Sequence, residues 1–245
     1  PHKGFYFALG QHRDQFVCYA DVGCYAMGYN PPLDGYDAIC VMGASFSAGN
    51  GLNRALHAQK DPRKVIAAIG DSTFFHSGIT GLVDVVKTKS DMVVCVLDNR
   101  TTAMTGHQLH PGNDSNLMHD DVKAVDIVQV ALGVGIKEEN IRVIDPIDQE
   151  AMHQTLNEAY AAKEAFLIVA KHPCALIKSV VKQNAGKYCE IDPDKCKGCK
   201  ACVKLVCPAI SFIDKKAVIT DKNACTACGL CMQQCKFDAI TKVGE

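Results

Sequence analysis

Residues 69–106 read IGDSTFFHSGITGLVDVVKTKSDMVVCVLDNRTTAMTG, and their pattern indicates the fold of the larger part of the chain. A strand-like apolar run ends in Gly-Asp, a helical pattern follows, and the next strand-like run ends in Asp-Asn. Runs of this kind, rich in β-branched residues, lie at 16–22, 38–43, 64–71, 91–99, 140–145 and 165–172. Helical spacing of apolar residues occurs between them, at 44–59, 78–89, 121–133 and 147–164. The alternation predicts an α/β fold in which a parallel sheet is covered by helices on both faces.

Composition and charge narrow the class of protein. The 245 residues are 48% hydrophobic, which is enough for a substantial core. The net charge of −1 argues against nucleic acid as the main partner. No apolar run reaches the ~18 residues of a membrane span, so we expect no membrane partner. The chain starts with Pro and shows no signal-peptide pattern, so we interpret it as part of a longer polypeptide.

The 14 cysteines are distributed unevenly, because eight of them fall within residues 196–235. A large α/β segment with a dense cysteine tail is typical of a reducing compartment and a metal cluster, so we expect a cytoplasmic protein. The eight follow the spacing C-x2-C-x2-C-x4-C-P and then C-x2-C-x2-C-x3-C. In the bacterial two-cluster pattern the fourth cysteine of each run binds the other cluster. The spacing therefore predicts two [4Fe–4S] clusters, the first held by Cys196, Cys199, Cys202 and Cys235 and the second by Cys225, Cys228, Cys231 and Cys207.

The alternatives for these cysteines are a pair of zinc knuckles or buried free thiols. Zinc sites pair two C-x2-C units across a gap and often include histidine, whereas residues 191–245 contain no histidine. The tail also repeats itself, since IDPDKCKGCKAC matches TDKNACTACGLC, and neither half can bury a hydrocarbon core alone. It resembles the bacterial two-[4Fe–4S] ferredoxin family, although Lys236 follows Cys235 where that family has Pro. We therefore predict an α/β domain at 1–177, a linker at 178–190 and a small α+β ferredoxin-like domain at 191–245.

Polar residues stand at the ends of two predicted strands. Asp71 follows Gly70 at the end of one strand, and Asn99 ends the next. Because the strands of a parallel sheet share one carboxyl edge, where ligands bind, these side chains would offer hard oxygens to one cation such as Mg²⁺. A backbone carbonyl of the irregular loop after Asn99 would add a third oxygen. The alternative is structural, with Asp71 capping the following helix and Asn99 shaping a turn.

Five segments carry a more specific resemblance. PHKGFYFAL, DVGCYAMG, CVMGASFSAGNGL, GDSTFFHSG and LDNRTTAMTGHQ are similar, in this order, to the large (alpha) subunit of the indolepyruvate:ferredoxin oxidoreductase family. The Gly70-Asp71-Ser72…Asn99 pattern is also similar to the Gly-Asp-Gly…Asn motif of thiamine-diphosphate enzymes. The resemblance implies that Mg²⁺ is bound by Asp71, Asn99 and the carbonyl of Thr101. It implies that thiamine diphosphate is contacted by Gly23, Cys24, Gly43, Ala44, Ser45, Gly70, Asp71, Ser72, Asn99, Thr101, Met104, Thr105 and Gly106.

The same resemblance implies a function, that of a thiamine-diphosphate-dependent 2-oxoacid:ferredoxin oxidoreductase. Such an enzyme decarboxylates an aryl pyruvate such as indolepyruvate oxidatively to an acyl-CoA and passes the electrons through two [4Fe–4S] clusters to ferredoxin. Met104 favours an aryl substrate, because the pyruvate-using relatives tend to have a polar residue there. The implied partners are coenzyme A, the 2-oxoacid, ferredoxin, a second (beta) subunit and an upstream pyrimidine-binding domain. The chain would then be one part of the active assembly.

Two histidines are candidates for a catalytic role. His2 and His76 lie near loops that the family uses for cofactor or substrate, so we predict a catalytic role in handling protons. The alternative for each is an ordinary structural histidine.

Two other functions remain as alternatives. One is a ferredoxin oxidoreductase of pyruvate or another 2-oxoacid. The other is a non-catalytic electron-transfer subunit with two [4Fe–4S] clusters.

Overall fold

The computed structural model describes residues 2–244, whose contacts divide the chain into two units. The larger unit comprises the residues up to Asn30 together with Asp34–Cys174. The smaller unit comprises Pro31–Leu33 together with the residues from Ala175 onward. The domain boundaries at 177 and 190 stay a prediction. No helix in the described part of the chain is long and apolar enough to cross a membrane.

One six-stranded sheet forms the centre of the larger unit. Its strands are β1 Phe16–Ala20, β2 Ala38–Ile39, β3 Lys64–Gly70, β4 Val93–Asp98, β5 Ile141–Ile144 and β6 Phe166–Lys171. They lie in the order β2-β1-β3-β4-β6-β5, and every neighbouring pair is parallel. β3 and β4 are buried along nearly their whole length, which explains their continuous apolar sequences. The predicted parallel sheet is confirmed.

Helices cover both faces of this sheet. They are α1 His2–Leu9, α2 Ser45–Ala58, α3 Asp71–Thr73, α4 Ile79–Lys87, α5 Ile127–Val134 and α6 Gln149–Ala161. α1 and α6 pack on the face that buries Ile66 and Cys95, whereas α2, α4 and α5 pack on the face that buries Val65 and Val94. Consecutive strand residues point to opposite faces, so one uninterrupted apolar run supplies both cores. The predicted arrangement of helices is confirmed.

Two helices begin at positions that differ from the sequence prediction. The helix predicted at 121–133 begins at Ile127, because the Asp126 side chain accepts a hydrogen bond from the N–H of Gln129 and caps the first turn. The helix predicted at 78–89 begins earlier, directly after β3. There α3 leads through a π-helical segment, Phe74–Gly78, into α4. The early start makes Asp71 the first residue of the helix at the point where the strand ends.

The smaller unit contains two short antiparallel sheets. Its elements are α7 Lys178–Gln183, β7 Tyr188–Ile191, β8 Ile210–Ile213, β9 Lys216–Ile219, α8 Leu230–Gln233 and β10 Ile240–Val243. β8 and β9 form a hairpin with Asp214 and Lys215 at positive φ in the turn, and β7 pairs with β10. Residues 188–190, assigned to the linker from the sequence, are therefore part of a strand. The strand is short and buries only Cys189 fully, so its local sequence carries little strand signal.

Candidate functional site

The carboxyl ends of β3 and β4 open into one cleft, because the two strands are adjacent and parallel. The cleft has about 500 Å³ of empty space, part of it open to solvent. The predicted site residues that line it are His2, Gly23, Cys24, Gly70, Asp71, Ser72, Asn99, Thr101, Met104 and Thr105. Among the described residues, the lining does not include the predicted Gly43, Ala44, Ser45, His76 and Gly106. The structure thus brings together the residues that the sequence placed at the ends of neighbouring strands.

Asp71 is 3% exposed, and its two carboxylate oxygens are held by different parts of the chain. Oδ1 accepts a hydrogen bond from the N–H of Ser72 at 2.8 Å, and Oδ2 accepts one from the N–H of Arg100 at 2.8 Å. The left-handed backbone of Arg100, with φ of 65°, lets the chain turn after β4 so that this N–H reaches Asp71. Oδ2 also lies 3.1 Å from Nε2 of His110. The protein therefore fixes the orientation of this carboxylate.

Asn99 and Thr101 enter the cleft from the end of β4. The side-chain Oδ1 of Asn99 accepts a hydrogen bond from the N–H of Thr101 at 3.1 Å, which folds the chain into a tight turn. The hydroxyl of Thr102 donates to the hydroxyl of Ser72 at 2.9 Å and joins this turn to the start of α3. Asn99 therefore shapes a turn, as the structural alternative predicted. Its amide oxygen has a second lone pair, so the turn does not exclude a role as a metal ligand.

A second carboxylate, Asp98, lies beside Asp71 at the same edge. It is 4% exposed, and its Oδ1 accepts a hydrogen bond from the N–H of Arg100 at 3.1 Å. Burial, and then the neighbouring Asp71 carboxylate, raise the pKa of Asp98 above its usual range. Two ionised carboxylates that lie side by side in a buried site repel each other, and a cation bound next to Asp71 would relieve the repulsion.

The donor set of the cleft fits Mg²⁺ and a bound diphosphate. Mg²⁺ takes oxygen ligands and is usually held by one or two carboxylates together with substrate phosphates. Asp71 and Asn99 line the cleft and carry carboxylate and amide oxygens, and Thr101 lines it as well, with a carbonyl that accepts the N–H of Ala103 at 3.0 Å and retains a second lone pair. His2 also lines the cleft, and its buried Nε2 has no hydrogen-bond partner among residues 2–244. Such an atom is usually satisfied in the working protein, and a ligand in the cleft would supply the partner.

The two histidines with a predicted catalytic role lie in different environments. His2 is 8% exposed, and burial lowers the pKa of its ring, so the ring is neutral near pH 7. His76 is exposed in the π-helical segment and lies outside the cleft lining of the described chain. The early start of the helix explains this position. Five residues after Asp71, a side chain points about 140° away around the helix axis.

Asp21 and Tyr25 shape the cleft and were missed by the sequence reasoning. Asp21 follows β1 and is fully buried, and it accepts hydrogen bonds from the hydroxyl of Tyr25 and, at 2.8 Å, from the N–H of Gly43. The Tyr25 hydroxyl also accepts the N–H of Gly70 at 3.1 Å. Gly43 has φ of 84°, and a Cβ there would lie 2.0 Å from Oγ of Ser77, so the position requires glycine. Asp21 could have been found, since it stands one residue before the end of the predicted strand 16–22, much as Asp71 ends the predicted strand 64–71.

In the smaller unit, four cysteines converge on one cavity of about 330 Å³. They are the three cysteines of the first run and the last cysteine of the second run: Cys196, Cys199, Cys202 and Cys235. Burial, and then the neighbouring thiols of this set, raise the pKa of Cys202 to about 11. Apolar side chains such as Phe237 and Ile240 complete the lining. The grouping has the crossed pattern that the spacing predicts for the first cluster.

The second group of cysteines includes a thiol outside the spacing pattern. The pKa of Cys231 is raised by a hydrogen bond with Cys189, by burial, and by the nearby thiols of Cys228 and Cys207. Cys189 is 1% exposed, and its backbone N–H donates to Sγ of Cys225 at 3.2 Å. The spacing pattern of the cysteines assigns no role to Cys189. Its position depends on the pairing of β7 with β10, which local spacing does not reveal.

The zinc alternative differs from the iron–sulfur prediction in how the cysteines group. Zinc sites pair two C-x2-C units, whereas the cavity groups three cysteines of the first run with the last cysteine of the second run. This grouping favours an iron–sulfur cluster.

Comparison with known proteins identifies the family. Residues 21–170 match the family model for the thiamine pyrophosphate enzyme, C-terminal TPP binding domain, thiamine pyrophosphate being another name for thiamine diphosphate. This range contains β3, β4 and most of the cleft lining. The chain belongs to this family of thiamine pyrophosphate enzymes. Residues 218–241 match a second model, the 4Fe-4S binding domain.

Curated relatives of this thiamine pyrophosphate enzyme carry one name, indolepyruvate oxidoreductase subunit IorA. The Pyrococcus abyssi protein is 36% identical over 260 residues, covering 100% of the chain and 40% of the relative. The Archaeoglobus fulgidus protein is 36% identical over 245 residues, covering 98% of the chain and 38% of the relative. The chain thus spans about two fifths of the length of the curated relatives it matches. The resemblance to the large subunit of indolepyruvate:ferredoxin oxidoreductase is confirmed.

Solved structures share the fold. One is a 2-oxoglutarate:ferredoxin oxidoreductase from Magnetococcus marinus, with a TM-score of 0.58 and 15% identity over 72% of this chain and 63% of that chain. Another is a putative thiamin diphosphate-dependent enzyme from Mycobacterium smegmatis, with a TM-score of 0.53 and 20% identity over 70% of this chain and 31% of that chain. At these identities the likeness concerns the fold alone. It confirms the predicted α/β class for the thiamine pyrophosphate enzyme.

Proposed function

We propose that this chain is the diphosphate-binding and electron-relay part of a 2-oxoacid:ferredoxin oxidoreductase that prefers aryl pyruvates such as indolepyruvate. The observation that carries the proposal is the cleft at the ends of β3 and β4, which Asp71, Asn99 and Thr101 line together. The relatives named indolepyruvate oxidoreductase subunit IorA support the same reaction class. In the proposed site, Mg²⁺ binds Asp71, Asn99 and the carbonyl of Thr101.

The residues of the chain act by holding and orienting bound groups. When bound, thiamine diphosphate supplies the decarboxylation of the 2-oxoacid, and iron–sulfur clusters supply one-electron transport. The N–H groups of Ser72 and Arg100 keep the Asp71 carboxylate in one orientation. The preorganised carboxylate then binds the cation without first losing side-chain freedom. The loop 101–106 contacts the diphosphate in this proposal, as do Gly23 and Cys24 from the other side of the cleft.

Two [4Fe–4S] clusters are assigned to the smaller unit. The first is held by Cys196, Cys199, Cys202 and Cys235, and the second by Cys225, Cys228, Cys231 and Cys207. Support for the first assignment comes from the shared cavity of its four cysteines, and support for the second comes from the mutual proximity of Cys207, Cys228 and Cys231. The 4Fe-4S family match over residues 218–241 supports an iron–sulfur group that involves the second run.

Substrate and partners follow from the same proposal. Met104 lines the cleft and is 55% exposed, so an apolar surface is available to an aryl side chain. The neutral ring of His2 presents an unused Nε2 that can exchange a hydrogen bond with cofactor or substrate. Coenzyme A accepts the acyl group and ferredoxin accepts the electrons. An upstream pyrimidine-binding domain and a second (beta) subunit complete the assembly.

Binding of thiamine diphosphate to the complete anaerobic assembly tests the proposal. Calorimetric titration with thiamine diphosphate in the presence of Mg²⁺ should show one site per chain. Asp71→Asn should weaken binding at least 100-fold, because it removes the only carboxylate among the proposed ligands. Glu164→Gln is the matched control, since it makes the same chemical change at an exposed carboxylate that pairs with Lys137. Equal binding by Asp71→Asn and wild type would contradict the proposed metal site, and a lack of binding by wild type would favour the electron-transfer alternative.

Substrate preference is tested on the same assembly with reduction of ferredoxin as the readout. The ratio of kcat/KM values for indolepyruvate and pyruvate should favour indolepyruvate. Met104→Ser should reduce this ratio, since the substitution replaces an apolar contact by a polar one. A higher kcat/KM for pyruvate in the wild-type assembly contradicts the aryl preference.

A further inference from the structure

His110 lies against the proposed magnesium site, although it belongs to the irregular loop that follows the quoted segment LDNRTTAMTGHQ. Its side chain is 1% exposed, and Nε2 stands 3.1 Å from Oδ2 of Asp71. The angle of this contact is outside hydrogen-bond geometry, and Nε2 has no hydrogen-bond partner in the described chain, so the Asp71 oxygen lies within reach of an unsatisfied ring nitrogen. A polar atom that is buried this completely requires a partner, and the Asp71 carboxylate is the acceptor within reach.

The other ring nitrogen of His110 fixes the tautomer. Nδ1 lies 3.1 Å from the backbone N of Gly112, whose N–H donates to it. In the neutral ring an accepting Nδ1 leaves the proton on Nε2, which is the atom that faces Asp71. The ring therefore presents a donor, and not a lone pair, to the carboxylate.

Packing holds the His110 ring in place. Phe75 stacks on it with ring centroids 5.9 Å apart and an angle of 25° between the planes. A Cβ on Gly112 would lie 2.8 Å from the Phe75 ring and 2.9 Å from Cε1 of His110, so the loop closes tightly around the pair. Asn113 accepts the backbone N–H of His110 at 2.8 Å and donates to the carbonyl of Arg100 at 2.7 Å. Arg100 is the residue whose N–H binds the same Oδ2 of Asp71.

We propose that His110 is a positioning residue of the magnesium–diphosphate site, which holds the Asp71 carboxylate through its Nε2 proton. The inference rests on the proposed function, because it concerns the orientation of a proposed metal ligand. Hydrogen bonds from the protein to a ligating group orient that group and typically change metal affinity 10- to 100-fold when they are lost. His110 and the N–H of Arg100 together fix Oδ2, which leaves Asp71 one preferred geometry for the cation.

Two substitutions separate the donor from the ring. His110→Phe keeps an aromatic ring that can stack on Phe75 but removes the proton donor. His110→Gln removes the ring but keeps an N–H group at about the position of Nε2. His153→Phe is the matched control, because His153 is a half-buried histidine on α6 that pairs with His12 and does not line the cleft.

The measurement is the Mg²⁺ concentration that half-saturates thiamine diphosphate binding to the complete assembly, determined by calorimetry. We expect His110→Phe to raise it about 10- to 100-fold. We expect His110→Gln and His153→Phe to stay within about threefold of wild type. Turnover at saturating Mg²⁺ should largely recover in His110→Phe, because the defect concerns the binding of the metal and not the reaction.

The inference is overturned if His110→Phe has the wild-type dependence on Mg²⁺, or if His110→Gln is impaired as strongly as His110→Phe. The second pattern would indicate that the ring packs and does not orient Asp71. If His110→Phe fails to fold, as judged by hydrogen exchange of β3 and β4, His110→Gln decides the matter alone. Asp71→Asn separates this inference from the proposed function. Loss of binding in Asp71→Asn with no effect of His110→Phe removes only the role of His110, whereas unchanged binding in Asp71→Asn removes both.

Discussion

Tyr25→Phe should destabilise the cleft edge of the sheet by about 2–4 kcal/mol. The substitution deletes one hydroxyl that serves two partners. It donates to the fully buried Asp21 carboxylate and accepts the N–H of Gly70 at 3.1 Å. A hydrogen bond to a charged group contributes about 1.5–3 kcal/mol, and an unsatisfied backbone donor costs about 1 kcal/mol when partly buried. After the substitution, Asp21 retains the N–H of Gly43 at 2.8 Å but loses its second donor.

A double-mutant cycle isolates the charged part of this effect. Burial raises the pKa of Asp21 above its usual value, and the Tyr25 hydroxyl opposes that shift. A group whose pKa is raised on folding costs stability as pH increases through the folded pKa, so Tyr25→Phe should be most harmful at neutral and alkaline pH. In an Asp21→Asn background the hydrogen bond is neutral at every pH. The cost of Tyr25→Phe should therefore fall by about 1–2 kcal/mol in that background.

Native-state hydrogen exchange of the complete chain, read by mass spectrometry on peptides that contain Gly43 or Gly70, reports the local free energy of opening. This measurement does not require the whole chain to unfold in a single transition. Exchange at Gly43 and Gly70 should accelerate most, since their N–H groups belong to the network. An equal cost of Tyr25→Phe with Asp21 and with Asn at position 21 would refute the reasoning. A cost below about 1 kcal/mol would refute it as well.

Four further predictions concern the smaller unit and the His110 loop. Cys235→Ser should remove the first cluster, so its EPR spectrum should match that of Cys199→Ser, and a match to Cys228→Ser contradicts the crossed assignment. Cys189→Ala should leave the iron content unchanged, because Cys189 is not among the eight assigned ligands, and a loss of iron would contradict that assignment. Removal of iron by a chelator should abolish hydrogen-exchange protection of β7 and β10 but not of β3, because the small unit has little core besides its metal groups, and persistent protection of β10 would show otherwise. Gly112→Ala should destabilise the loop by about 1–3 kcal/mol, since its Cβ would meet Phe75 at 2.8 Å, and unaltered exchange of residues 110–113 would contradict the packing.

The parts of the structure that followed from the sequence depend on local periodicity. The six strands were found because each is a short apolar run bounded by polar or turn residues, and a central parallel strand needs such a run. The proximity of Asp71 and Asn99 was predicted from topology, since neighbouring parallel strands end at the same edge of the sheet. The grouping of Cys235 with the first run likewise followed from a spacing pattern with a known geometry.

The parts that the sequence did not reveal depend on contacts between distant segments. His110 meets Asp71 only because the irregular loop after β4 folds back, and no periodic signal describes that path. Cys189 contacts Cys225 because β7 pairs with β10 from the far end of the unit. His76, for which a catalytic role was predicted, does not line the cleft of the described chain, and the reason is local. The helix starts at Asp71 and not at residue 78, which rotates residue 76 away from the strand end.

Three buried carboxylates lie at the carboxyl edge of the sheet, and their surroundings distinguish a structural carboxylate from a candidate metal ligand. Asp21, Asp71 and Asp98 each end or follow a parallel strand, and they are 0%, 3% and 4% exposed. A buried ionised carboxylate is costly unless it accepts hydrogen bonds or meets a cation. The two oxygens of Asp21 have separate donors in Tyr25 and Gly43, so its charge is satisfied within the protein. Asp71 also has two N–H donors, Ser72 and Arg100, but it lies beside a second buried carboxylate, Asp98, which shares the N–H of Arg100 and whose pKa Asp71 raises. The neighbouring negative charge, and not a lack of hydrogen-bond donors, therefore distinguishes Asp71 from Asp21 as the proposed ligand of a cation, independently of motif spacing.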